Sequence, residues 1–326
     1  MAQSSKSLTL ARLEDMTLGA FASVPQSSTL GRLVDYLGTF GGNDKFFAIV
    51  QYTLKLLVPY LNWRAKIQHG VGRRASPTSS IAPALAKLSG LIGDARMAFN
   101  FWGLLLCIRW LIDLERKQFP TRRDRTIERL QAWSLALFYP LDNVAYLLNH
   151  GIVSPKISFG ANSTADSVKP EATGPSITLD SGKLSRASCG LWGFYIVLQL
   201  FRLGDDGRKL RAQEISASKS KAIFADGERA QLRHKRRILR HEIVAQVCNL
   251  PCAIHWASEK GFFRNSIWVD VLSLVANLAS FRSAWLATSP SVPSTKSNIS
   301  DEKAVDRVTD VDISAPIGLD AGLDEI

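Results

Sequence analysis

The apolar residues of this chain come in blocks, and the blocks limit what it can fold into. Four of them stand out, at about 97–114, 131–149, 187–201 and 267–287. Each must be buried, in protein or in lipid. None is a run of 18 or more apolar residues free of charge, the plain signature of a spanning helix. The first holds Arg109 and Asp113, and the second Pro140, Asp142 and Asn143. The third is free of charge from Ala187 to Phe201 but covers only 15 residues, and the fourth has Asp270 near one end and Arg282 near the other. Charges near block ends can snorkel to an interface, whereas Asp142 in mid-block must face protein or water. Hydropathy alone therefore leaves a membrane protein only slightly ahead of a soluble helical bundle.

No alternating apolar–polar run is long enough to argue for a sheet, so the chain reads as all-α. Residues 30–40 read as a short helix, Gly41-Gly42-Asn43 as a turn, and Asn43 or Asp44 as the cap of the next helix. That helix, about 45–66, carries its polar residues Gln51, Lys55, Asn62 and Lys66 on one narrow stripe, with Pro59 expected to kink or interrupt it. A Gly-Arg-Ser-Pro linker fills 70–83. Beyond it Ile81, Leu85, Leu88, Ile92, Ala95 and Phe99 recur at spacings of four and three, on one helical face. Lys87, Ser89, Asp94 and Asn100 lie on or near the other. An 18-residue helix here is about 27 Å long. Its apolar face suits insertion into one leaflet or packing on a protein core.

Charge adds a second constraint. The net charge is +11, yet from Thr288 onward eight acids oppose three bases. Between Arg202 and Arg240 twelve bases oppose five acids, ending in HKRRILRHE. A basic excess suits nucleic acid or an anionic membrane. No nucleic-acid reading module is recognisable, and the bases stand beside apolar blocks. The cluster Lys235, Arg236, Arg237 and Arg240 is therefore read as a contact for anionic lipid or as a receptor-read membrane address. Residues 152–185 and 288–326, rich in Ser, Thr, Pro and Gly or in acids, read as disordered, as does 1–29. No secretory signal and no Ser-Lys-Leu type address is visible.

No catalytic constellation can be assembled. There is no Walker loop, no GxSxG and no His-Glu-x-x-His. The five histidines are scattered. His255 near Glu259 has the spacing of a helix-face contact, and nothing orients its ring towards Cys252. Cys248 and Cys252 share a helix face without completing a zinc site. The expectation is no enzyme, no cofactor and no metal.

The stretch from Leu250 to Trp285 reads as a Pro-interrupted helix, a polar elbow at Glu259-Lys260-Gly261, and a strongly apolar helix. Trp256, Phe262, Phe263 and Trp268 cluster at the elbow, where amphipathic rings favour the headgroup level. This arrangement closely resembles the C-terminal part of the peroxin-eleven family, peroxisomal membrane proteins that elongate and divide peroxisomes. Two further segments resemble the family, in family order. Leu33-Val34-Asp35-Tyr36-Leu37 leads through Gly42-Asn43-Asp44-Lys45 into FFAIVQYTLKLL, and LALFYPLDNVAYLLNHGIV occupies 135–153. The loops at 70–83, 152–185 and 203–233 and the tail after Thr288 depart from the family, which points to a divergent, fungal-type branch.

The resemblance implies a helical membrane protein of two to four embedded helices, with family-like regions at 30–151 and 186–287. It implies residence in the peroxisomal membrane, with 131–149 and 267–287 as the leading spans. It implies homo-oligomers, contact with a phospholipid bilayer that favours anionic lipid, and partners among the membrane-protein import receptor and the fission machinery, with no nucleic acid. Leu85, Leu88, Ile92, Ala95 and Phe99 would then form the leaflet-inserting face. Ser273, Ala276 and Ser280 offer a close-contact stripe for self-association. A channel is the alternative, carried by the charges inside the apolar blocks.

Overall fold

The computed structural model describes residues 27–158, 176–219 and 225–288, with a few positions between 17 and 25. Seven helices account for nearly all of them: α1 Ser28–Leu37, α2 Phe40–Gly70, α3 Ala82–Arg116, α4 Arg122–Asn149, α5 Ser181–Lys219, α6 Ala225–Ala257 and α7 Ile267–Ala287. Three are long and apolar enough to cross a membrane: α3, α5 as far as Ala217, and α7. The chain is thus an all-helical membrane protein. The helix that carries 131–149 is not among the three, because Gln131, Pro140, Asp142 and Asn143 dilute that stretch. Block 187–201, too short by itself, qualifies because its helix runs on at both ends.

Helices α2 to α7 each pack on the next, and α7 returns to α2, which closes the circuit. The helices before and after the 152–185 loop therefore form one body. Its centre is filled by Leu135, Phe138 and Tyr139 of α4, Trp192 and Ile196 of α5, and Cys252, Ala253 and Trp256 of α6. Trp192 stacks on Trp256 at 5.8 Å between ring centroids. Helix α1 is tied to the far end of α7: Tyr36 meets Phe281 edge-on at 5.0 Å, and Arg32 donates to the Trp285 carbonyl at 2.9 Å.

Several local expectations are corrected. Helix α2 begins at Phe40, so the glycine turn is already helical. Its cap is Thr39, whose hydroxyl accepts from the Gly42 N–H at 3.1 Å, not Asn43 or Asp44. Gly42 is needed because a Cβ there would run into the Tyr36 carbonyl. α2 continues through Pro59 and α6 through Pro251 without a break. Both prolines sit in helices long enough, and packed on enough neighbours, for one missing N–H to be tolerated. The amphipathic stretch 81–99 is not separate from block 97–114, for both belong to α3. Within 152–185, Lys156–Ser158 pairs antiparallel with Ser176–Thr178, and α5 has begun by Ser181. Residues 159–175, most of 1–29, and the tail from 289 lie outside the described residues.

Candidate membrane-contacting site

Helix α3 presents two unlike faces. One carries Ser89, Gly93, Arg96, Asn100, Gly103 and Cys107, at spacings of four and three, and all six are buried. Ser89 donates to the Gln51 carbonyl at 3.2 Å. Gly93 lets α2 approach, since a Cβ there would lie 2.5 Å from the Gln51 amide nitrogen. Arg96 donates through Nε to Asp44 Oδ1 at 2.7 Å and through Nη1 to Gln51 Oε1 at 2.6 Å. One turn on, Asn100 Nδ2 donates to Asp142 Oδ2 at 2.5 Å, and Ser188 of α5 donates to Asp142 Oδ1 at 3.4 Å. At Gly103 any side chain would strike the Tyr139 ring, and Cys107 Sγ donates to the Ala132 carbonyl at 3.4 Å. Small residues give close approach and polar ones give cross-helix hydrogen bonds, the two devices by which helices associate in lipid.

The other face is apolar and uncovered. Leu88 (46%), Leu91 (60%), Phe99 (59%), Trp102 (59%) and Leu105 (56%) all stay exposed. Of the predicted inserting face, Leu88, Ala95 and Phe99 are exposed, while Leu85 and Ile92 are half-buried at its edge. The polar residues expected to oppose it in water, Ser89 and Asn100, point into the protein instead. Exposed apolar side chains continue on the other helices, with Phe46, Phe47, Leu57, Trp133, Phe194, Phe201, Val247 and Leu278 among them. So many exposed large apolar side chains suit contact with lipid.

The elbow between α6 and α7 is locked by His255. Its Nδ1 accepts from the backbone N–H of Phe262 at 2.8 Å and of Phe263 at 3.0 Å. Gly261, at φ +68°, supplies the left-handed step beside the ring. The backbone N–H groups of Phe262 and Phe263 are thus partners of the ring. Phe262 and Trp268 are exposed, and Phe263 is partly buried against the core. Trp256 departs from expectation: it is a core residue, held by Trp192.

Lys235, Arg236, Arg237 and Arg240 are all exposed near the start of α6. Arg236 is engaged by Glu214 of α5 at 3.2 Å. Ser273, Ala276 and Ser280 are buried within the protein, with Ser273 Oγ 3.7 Å from Cys252 Sγ, so the small-residue stripe serves packing inside one copy. Of the charges inside the apolar blocks, Arg109 meets Asp113 at 3.7 Å and Asp270 meets Lys55 at 4.0 Å. Burial raises the Cys248 thiol above its ordinary range, away from reactive thiolate. Among the described residues no group of three or more His, Cys, Asp or Glu could hold a metal ion.

Comparison with family models, with curated proteins and with solved structures returned no match.

Proposed function

We propose that this chain is a peroxisomal membrane protein of the peroxin-eleven type, which bends and elongates the membrane and so promotes proliferation and division. Its work is mechanical, without catalysis. One observation carries the reading: α3 holds its polar face against α2 and α4 and leaves Leu88, Leu91 and Phe99 uncovered. An apolar face fixed on a packed body can displace lipid in one leaflet and expand it relative to the other. Each copy adds little, so elongation needs many copies. Because Ser273, Ala276 and Ser280 are engaged internally, copies would meet through other surfaces. The ordered sequence resemblances supply the peroxisomal assignment. The channel reading has less support, since Arg109 is held by Asp113, Asp270 by Lys55, and Asp142 by Asn100 and Ser188; solute flux through purified protein in liposomes tests it.

The basic α5–α6 hairpin would lie on the cytosolic side, by the positive-inside tendency. Replacing Lys235, Arg236, Arg237 and Arg240 by Ala should misdirect the protein, and unchanged targeting would assign the cluster to lipid contact. The main test is overproduction. The natural protein should elongate or multiply peroxisomes. The Leu88→Asp, Ile92→Asp form should still reach the membrane, anchored by α5 and α7, but should not elongate it. A fully buried aliphatic side chain contributes about 1.5–3 kcal/mol, so two charges on this face rival the binding of the whole surface. Elongation by the double variant as strong as by its parent would put the wedge elsewhere, with α2 the next candidate.

A further inference from the structure

The bases of α6 are not equally occupied. Arg236 has Glu214, whereas Arg233, Lys235, Arg237 and Arg240 are exposed and make no ion pair among the described residues. Arg233, Arg237 and Arg240 recur at spacings of four and three, so they share one helix face over about 10 Å. His234 lies among them, and its Nε2 is 3.1 Å from the Leu286 carbonyl in the last turn of α7. The segment that follows α7 therefore starts beside this basic face. That segment holds eight acids against three bases, with Glu302, Asp306 and Asp310 at spacings of four.

We infer that the acidic segment 289–326 docks on the basic face of α6, made by Arg233, Lys235, Arg237 and Arg240, and masks it from anionic lipid. Reach is sufficient. Asp301 is fifteen residues beyond Leu286, and a tether of that length has a root-mean-square span of about 20 Å. Attachment beside the target keeps the effective concentration in the millimolar range, enough for a weak ionic contact to close. An anionic bilayer offers the same charge and competes for the same bases. The device goes beyond the peroxisomal reading and does not depend on it.

Carbodiimide cross-linking of the full chain in phosphatidylcholine vesicles, read by mass spectrometry, tests it. Lys235 should join Asp301, Glu302, Asp306 or Asp310. Lys260, exposed beyond the other end of α6, is the control, since about 33 Å of helix separates Lys235 from Ala257. Docking predicts a yield at Lys235 about tenfold above that at Lys260, given the local tether. It also predicts loss of the product in roughly molar salt and its decline when phosphatidylserine is added. In the variant with those four acids changed to Asn or Gln, acetylation of Lys235 should rise while that of Lys260 does not. Equal yields at the two lysines, or acetylation of Lys235 unchanged in the variant, would overturn the inference. So would cross-links found only between heavy- and light-isotope copies, because the occupant would then be a second copy.

Discussion

The inner and outer faces of α3 reverse the order of a helix in a water-soluble bundle. Inside are Ser89, Arg96 and Asn100, and outside are Leu88, Leu91, Phe99 and Trp102. In water the apolar face would turn inward, since burial drives it. In lipid that drive vanishes, because tails are as apolar as Leu, and hydrogen bonds with close contact decide which face meets protein. The contrast teaches that the surroundings of this chain, as much as its sequence, set which face is the interface.

The contrast can be attacked first at Arg96. Arg96→Ala leaves Asp44 buried without its partner and should cost about 3–5 kcal/mol, measured as unfolding in detergent. A milder loss would mean that the inner face is not the seam. Gly103→Leu drives a side chain into Tyr139 and should cost about 1–3 kcal/mol by the same assay. Gly90, on the open side with nothing within 4 Å, should behave oppositely, with Gly90→Ala gaining about 0.5–1 kcal/mol from helix propensity. On the outer face Leu91→Ala should change stability in detergent by no more than about 0.5 kcal/mol. A large effect there would reveal a covered surface.

Much of this was legible in the sequence, but the sign of α3 was not. The spacings of Leu85, Leu88, Ile92, Ala95 and Phe99 give a helix and a face. Which face turns inward depends on the solvent, which periodicity does not report. The row Ser89, Gly93, Arg96, Asn100, Gly103 and Cys107 has the same period and was there to be read, once small and polar residues are taken as contacts. Asp142 was legible as needing protein, but its partner Asn100 lies 42 residues away, beyond any local pattern. Trp256 was misplaced because an aromatic near an elbow suits an interface and a core equally well, and only the stacking on Trp192 decides. The capping of the elbow by His255 could have been suspected from Gly261 and a histidine one turn and a half before it.

Lipid, not water or protein, is expected to cover the outer face of α3. A photoactivated carbene probe dissolved in the bilayer of vesicles holding the natural protein tests it residue by residue. Labelling is expected at Leu88, Leu91, Phe99, Trp102 and Leu105, with Ser89, Gly93, Arg96 and Asn100 unlabelled. Label on the polar row, or an outer face that takes none, would contradict it.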